Sequence, residues 1–385
     1  MSSIEEMSPK EFHEKNLRGE QLNLLDLRNE DDFASWKIEG QAVRHLNAPY
    51  VAMLENEEEY LPKLDKNKHW ITVCAKGGAS KYMAEELREK GYQITNLAGG
   101  MAAYSELLYP SQVYQDDRLT LIQINRVGKG CLSYIVISAG EALILDAARF
   151  AEAYEEVLQN NGAKLRYVVD THLHADHISG GTRLADRHES GYYIGSSDVT
   201  FGLAEDQKPT LNFQPLENFT SLPLGKVTVD VLAVQTPGHT PGSISLLVDN
   251  RFLLSGDTVF VNGLGRPDLG GKAREWAEDL YHTISVTLAP LHDDVLILPA
   301  HYADYTEMDT NGVISSRLGD LRQQSELLKI KDAGTFTDQV VAAAATETPP
   351  NYEEIVSINR GLVEVAADRE AELEIGPNRC AVHHH

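Results

Sequence analysis

The sequence predicts two α/β domains in tandem: a parallel sheet with helices on both faces, then two sheets packed together and covered by helices. Three observations predict this. At 385 residues the chain is too long for one ordinary core. Its first hundred or so residues alternate short apolar strands with amphipathic helices, the order of a parallel sheet. From Leu119 the texture changes to many short strands with few helices between them.

Leu22 to Leu27 and Trp70-Ile-Thr-Val-Cys74 read as strands of the first domain, and Ile94-Thr-Asn-Leu97 as a third. Met83, Ala84 and Leu87 recur at helical spacing between Ser80 and Lys90, and Gly91 stops that helix. The pattern weakens at Tyr109-Pro-Ser-Gln-Val-Tyr-Gln-Asp-Asp117, which reads as a linker. Further strands are expected at 119–124, 133–138, 142–145, 167–169, 227–234, 243–248 and 252–254. Beyond Ser315 the chain is mostly helical, with a break at Thr348-Pro-Pro-Asn351. The expected division is therefore 1–108, a linker at 109–118, a second domain at 119–345 and an extension at 346–382 without an assigned role. His383-His384-His385 reads as a purification-tag remnant and is excluded from metal reasoning.

The formal net charge is −24, and an acidic surface repels phosphate backbones and anionic lipid, so nucleic acid and membranes are excluded as expected partners. No apolar run approaches the roughly 18 residues a membrane helix needs, and the first residues lack the pattern of a signal peptide. Three scattered cysteines are too few for a disulfide framework, so a reducing cytoplasm is expected. Small molecules are the expected partners, with room for a homo-oligomer.

The strand ending at Asp170-Thr171 runs straight into His172-Leu-His174-Ala-Asp176-His177. Such a cluster cannot face an apolar core without partners, and imidazole with carboxylate is what a borderline or hard divalent cation requires. Chance produces this pattern in roughly one such chain in a thousand, so it is read as a site. His239 in Thr236-Pro-Gly-His-Thr-Pro-Gly-Ser243, Asp257 after Phe252-Leu-Leu-Ser-Gly256, and His301 after Leu296-Ile-Leu-Pro-Ala300 each sit just past a strand. Their loops can converge on one sheet edge.

This set resembles the metallo-β-lactamase fold superfamily across roughly residues 119 to 310. The resemblance implies an αββα sandwich with one or two metals at the sheet edge. Gly256-Asp-Thr-Val-Phe-Val-Asn-Gly-Leu-Gly-Arg-Pro-Asp268 looks like the persulfide dioxygenase branch, and Thr348-Pro-Pro-Asn-Tyr is similar to it as well. By that resemblance His172, His239 and Asp257 hold one Fe(II) per chain, and His174, Asp176, His177 and His301 orient the ligands. Two histidines and a carboxylate on one face leave three open positions, enough for a thiolate-type substrate and O2. Arg266 is expected either to hold a substrate carboxylate through its fork or to tie its loop to Asp268. Cys131 reads as a core thiol and Cys380 as incidental. Tyr302 and Tyr305 depart from the branch's pattern.

Cys74 ends a strand and opens Cys74-Ala-Lys-Gly-Gly-Ala-Ser80, immediately before a helix. Gly77 and Gly78 allow successive N–H groups to turn toward one centre, and the helix start and Lys76 add positive charge, all favouring a thiolate. With Leu24-Leu-Asp-Leu-Arg28 and Leu97-Ala-Gly-Gly-Met-Ala-Ala-Tyr104, the loop resembles a rhodanese domain over about residues 7 to 107. The resemblance implies that Cys74 accepts sulfane sulfur as a persulfide. Two segments depart from that family: Ala75-Lys76 stands where arginine often follows the cysteine, and Trp36-Lys-Ile-Glu-Gly40 replaces a usual Gly-His-Ile.

The expected protein is thus a rhodanese–persulfide dioxygenase fusion. It oxidises a low-molecular-weight persulfide, such as glutathione persulfide, with O2 to sulfite, while thiosulfate or sulfite meets Cys74. The alternatives are a glyoxalase II-like thioester hydrolase with two Zn ions, using all seven metal-site positions with Asp257 bridging, and a sulfur carrier whose metal is only structural.

Overall fold

The computed structural model describes residues 4–204, 206–216, 220–231, 235–268, 270–344, 351–378 and 380–381. Residues 348–350 of the Thr-Pro-Pro-Asn break, the end of the strand expected at 227–234, and the three terminal histidines lie outside them.

The first domain is a five-stranded sheet ordered Glu6–Met7, Gln93–Leu97, His69–Val73, Leu22–Asp26, Val43–Asn47. Every adjacent pair is parallel. Apolar clusters lie on both of its faces: Leu25, Met83 and Leu87 belong to one, Phe12, Leu24 and Met101 to the other. Alternate strand residues therefore go to opposite helical layers.

The second domain is a four-layer αββα sandwich. A seven-stranded sheet runs Gln214–Pro215, Gly191–Ile194, Lys164–Val169, Glu141–Leu145, Cys131–Ser138, Thr120–Arg126, Leu108–Gln115. A six-stranded sheet runs Ser221–Leu224, Val227–Val231, Leu246–Val248, Phe252–Gly256, Leu296–Pro299, Ser316–Arg317. Alternation sorts the side chains. Leu121, Tyr134, Val136 and Leu143 face the other sheet's Leu224, Leu246, Leu254 and Leu298, while Ile122, Ile135, Ile137 and Ile144 face outward to helices carrying Tyr154 and Leu184. On the far side Leu253 and Ile297 pack under Leu280 and Phe336.

The expected linker differs. Leu108–Gln115 is an edge strand paired antiparallel with Thr120–Arg126. Pro110 weakens the strand signal in the sequence, yet proline is tolerated at a sheet edge, where one side of the backbone needs no partner. The extension is also built into the fold, through helices Tyr352–Asn359 and Ala367–Leu373. Leu373 and Ile355 pack on Ile178, next to the histidine motif.

Candidate metal centre and sulfur loop

Loops following the strands Lys164–Val169, Phe252–Gly256 and Leu296–Pro299 meet at one edge of the sandwich, joined by the His239 loop. His172, His239 and Asp257 each offer a ligand atom within 4.8 Å of the others, and all three are buried. Hydrogen bonds fix which atoms face inward. The His239 Nδ1 lies 2.9 Å from the Arg266 carbonyl, which only accepts, so Nδ1 carries the proton and Nε2 a lone pair. The Thr171 hydroxyl donates to the Asp146 carboxylate, so the His172 Nδ1, 2.9 Å from that oxygen, donates to it in turn. Its Nε2 is likewise a bare acceptor. His172 is kept neutral by its burial first and by His174 second, which hold its pKa well below the usual histidine range.

Both acceptors point at Asp257 Oδ2, 3.8 Å from His172 Nε2 and 3.4 Å from His239 Nε2. His172 Nε2 and Asp257 Oδ2 are buried without a hydrogen-bond partner among the described residues. Three electron-rich atoms turned toward one point in a dry interior repel each other unless a cation sits between them. The residues therefore fit a divalent metal.

His301 behaves differently. Its Nδ1 lies 2.6 Å from Asp257 Oδ1 and its Nε2 3.1 Å from Asp176 Oδ2, so each ring nitrogen meets a carboxylate. Burial opposes its charge, but Asp257 and Asp176 outweigh it and raise its pKa well above the usual range. His174 is drawn away from the trio into a cluster with Asp146, at 3.2 Å, and Asp170. His177 donates through Nδ1 to Asp176 Oδ1 at 3.0 Å, and its Nε2 has no hydrogen-bond partner among the described residues.

Cys131 opens its strand as a buried core thiol, as expected, yet both cysteines of this region also lie beside the site. Cys131 is buried, but its Sγ donates to Asp176 Oδ2 at 3.3 Å and belongs to a four-residue cluster with Asp176, His177 and His301. Cys380 is not incidental either, because its thiol groups with Asp257 and His301. Burial, then Asp257, raises the Cys380 pKa well above the thiol range. Both contacts are tertiary. The Cys131 strand meets His301 through an isolated backbone bridge, and the tail is pinned by Asn378, whose amide donates to Lys129, Gly130 and Tyr302 carbonyls.

Arg266 ties its loop, donating through Nε and a terminal nitrogen to both oxygens of Asp268 at 2.8 and 2.5 Å. Gly265 beside it is obligatory, since a Cβ there would lie 1.8 Å from the Asp257 carbonyl oxygen. Of the two tyrosines, Tyr302 turns its hydroxyl to Asn125 and the Val127 carbonyl.

The sequence also left unmarked Asp146, which follows its strand as Asp257 does, and two residues of the extension. Asn359 donates to the carbonyls of His174 and His177 at 2.8 and 2.9 Å and accepts from the Ser179 N–H at 3.0 Å. Glu374 accepts from the Ile178 N–H and pairs with buried Arg126 and Arg149.

In the first domain Cys74 is buried, and its Sγ accepts from the N–H groups of Gly77 and Ser80 at 3.2 and 3.3 Å and the Ser80 hydroxyl at 3.1 Å. Gly78 begins the helix Gly78–Glu89, whose start faces the sulfur loop. Lys76 is exposed. Gly100 packs on the loop with φ +61, where a Cβ would lie 2.2 Å from the Cys74 carbonyl oxygen. Ser80 is the residue here that the sequence left without a role, although a hydroxyl closing the loop is a readable signal.

Two family models match: the rhodanese-like domain over residues 8–107 and the metallo-beta-lactamase superfamily over residues 126–301. The chain is 30% identical over 179 residues to the mitochondrial persulfide dioxygenase ETHE1 of Bos taurus, covering 46% of this chain and 64% of that one. It therefore spans less than two thirds of that relative's length. It is also 29% identical over 209 residues to the cytoplasmic hydroxyacylglutathione hydrolase of Arabidopsis thaliana, covering 50% of this chain and 75% of that one. Among solved structures, ETHE1 from Myxococcus xanthus superposes with a TM-score of 0.50 at 21% identity, over 66% of this chain and 99% of that one. That likeness speaks to the fold. Among the described residues no helix is long and apolar enough to cross a membrane.

Proposed function

Since the chain belongs to the metallo-beta-lactamase superfamily and carries a rhodanese-like domain ahead of it, we propose that it is an iron-dependent persulfide dioxygenase fused to a sulfurtransferase. The supporting observation is the meeting of two bare imidazole nitrogens with one unpartnered carboxylate oxygen at His172, His239 and Asp257. A single Fe(II) held by these three would supply open positions and redox chemistry toward O2. His301 spans Asp257 and Asp176 through both nitrogens, which favours one metal over two, because neither nitrogen is left as a free ligand. The substrate in this reading is a low-molecular-weight persulfide, glutathione persulfide first, and the products are sulfite and the thiol.

Cys74 carries sulfane sulfur, and the donors from Gly77, Ser80 and the Ser80 hydroxyl stabilise the anion on it. Arg266 orders the loop behind His239 in this reading and does not bind substrate. Three unpaired cysteines fit a reducing compartment, and we assign the protein to the cytoplasm on that ground.

A second reading, a two-zinc hydrolase of hydroxyacylglutathione type, draws on the Arabidopsis match and on the cluster of Cys131, Asp176, His177 and His301. One experiment separates the two. Anaerobically purified protein is analysed for metal and assayed with glutathione persulfide at an oxygen electrode. One iron per chain with oxygen uptake supports the dioxygenase, and two zincs with thioester turnover and no uptake overturn it.

A further inference from the structure

One buried carboxylate reaches the loops of two candidate metal ligands without being a candidate ligand itself. The strand Gly191–Ile194 runs into the short helix Ser196–Thr200, which turns Asp198 inward until it is only 2% exposed. Asp198 Oδ2 accepts from the Leu173 N–H at 2.9 Å and from the Thr240 hydroxyl at 2.8 Å. Leu173 directly follows His172 in the chain, and Thr240 directly follows His239. The other oxygen, Oδ1, accepts from the Gly242 N–H at 2.5 Å. An ionised carboxylate only accepts, and here it meets three donors drawn from both histidine loops.

The backbone is shaped around this contact. A Cβ on Gly195 would lie 2.2 Å from the Gly242 carbonyl oxygen, and one on Gly242 would lie 2.6 Å from Asp198 Oδ1. Glycine at both positions is what lets the two segments approach so closely. From the other side, Arg360 of the C-terminal extension donates to the carbonyls of Asp198 and Phe201 at 3.0 and 2.6 Å, which fixes the same short helix. The two histidine loops also meet where the Ile244 N–H donates to the Thr171 carbonyl at 2.8 Å. Thr171 precedes His172 and Leu173 follows it, so His172 is held from both sides and cannot pivot about a single bond.

We propose that Asp198 is a positioning residue for the metal centre. By fixing the residue after each histidine, its carboxylate sets the mutual orientation of the His172 and His239 rings, which stand at 90° with centroids 5.0 Å apart. The proposal rests on the reading of His172, His239 and Asp257 as metal ligands, and not on which reaction the metal serves. Loss of the carboxylate separates orientation from stability. A cavity of about 30 Å³ lined by Leu173, Asp198, Thr240 and Arg360 has room for about one water. Water there can satisfy freed donors, but it cannot hold two loops at a fixed spacing, so the cost falls on the orientation of the ligands.

The test loads the full-length chain with Co(II), whose visible absorption bands report the geometry of its ligands, and requires no turnover. Asp198→Ala should bind Co(II) about 10- to 100-fold more weakly in calorimetric titration, the range for losing a group that orients a ligand. Its bands should shift in position and intensity. Asp198→Asn, which keeps one acceptor oxygen, should lie between alanine and wild type in both readings. Phe336→Leu, in the separate core under the second sheet's outer helices, supplies a destabilised chain with every Asp198 contact intact. It should lower Tm and retain the wild-type bands and affinity. Wild-type bands and affinity in Asp198→Ala, or in Asp198→Asn where alanine does not fold, overturn the proposal. So does an equal band shift in Phe336→Leu, because the effect would then be general loosening. A wild-type chain that takes up no Co(II) would overturn the metal centre together with its brace, whereas unchanged Asp198 variants leave that centre standing.

Discussion

Asn359→Ala should loosen the metal loop although the residue sits in the C-terminal extension and touches no candidate ligand side chain. Asn359 is buried and satisfies two carbonyls and one N–H of the His174–Ser179 turn, at 2.8, 2.9 and 3.0 Å. Alanine leaves three backbone groups without their side-chain partner beside a cavity of about 520 Å³ that Ser179 and Asn359 line. At about 1 kcal/mol each, the low end for a buried unsatisfied group, the loss is about 3 kcal/mol. For a unit of this size that corresponds to a fall in Tm of roughly 6 to 12 °C. His172 lies two residues before the turn, so metal affinity should drop by roughly 10- to 100-fold as the ligand loses its fixed orientation. The assay is thermal unfolding with calorimetric metal titration, with exposed Glu326→Ala as the control. A variant that matches wild type in both Tm and metal affinity refutes the claim that the extension organises this loop.

His239→Ala should abolish oxygen uptake and leave thiosulfate:cyanide transfer intact, while Cys74→Ser should do the reverse; loss of both activities from the cysteine change would sink the division of labour. Ser80→Ala removes the 3.1 Å hydroxyl donor to Cys74 and should slow sulfur transfer about tenfold with unchanged oxygen uptake; an unaltered transfer rate would deny the hydroxyl any part. Glu374 has its carboxyl at about 2: burial raises it, but Arg126 and the other partners outweigh that and hold it down from 4.5. A depressed carboxylate stabilises above its unfolded pKa, so about 3 kcal/mol should be lost as pH falls from about 4.5 to 2. Glu374→Gln should flatten that acid limb in denaturant titrations, and a parallel limb would show the pair is not its source. Stripping metal with a chelator should lower Tm, since a ligand at 100 times its Kd contributes about 2.7 kcal/mol; identical melts with and without metal would count against the His172–His239–Asp257 centre.

The αββα order was legible because alternation and strand spacing are local signals, and the histidine motif because its members are neighbours in the chain. What escaped was long-range. Cys131 reads as a core thiol since it starts an apolar strand, and only the meeting of that strand with His301 brings its sulfur to Asp176. Cys380 and Asn359 sit in the extension beyond its Thr348-Pro-Pro-Asn-Tyr segment, where no signal marks them; their roles come from Asn378 and Glu374 anchoring the tail across the second domain. Arg266 could face a ligand or its own loop with the same sequence, and the choice of Asp268 is a matter of rotamer. Leu108–Gln115 was hidden for a different reason: as a half-exposed edge strand that carries Pro110, it lacks the apolar alternation of a central one.

The two sites solve opposite electrostatic problems with the same material. Around Cys74 the backbone supplies donors alone, so an anion on sulfur gains and a cation would lose. Around Asp257 Oδ2 the hydrogen bonds of His172 and His239 turn their ring protons outward, so acceptors face that oxygen and a cation gains. Neither arrangement survives a change of tautomer: a proton on His239 Nε2 would satisfy Asp257 Oδ2, leave the Arg266 carbonyl bare, and close the metal position. The Arg266 carbonyl is thus as consequential as any ligand, and it is held by the guanidinium's own grip on Asp268. Asp268→Ala should therefore weaken metal binding without touching a ligand. If metal affinity is unchanged while the arginine is shown to be mobile, the tautomer of His239 must be set by something other than that loop.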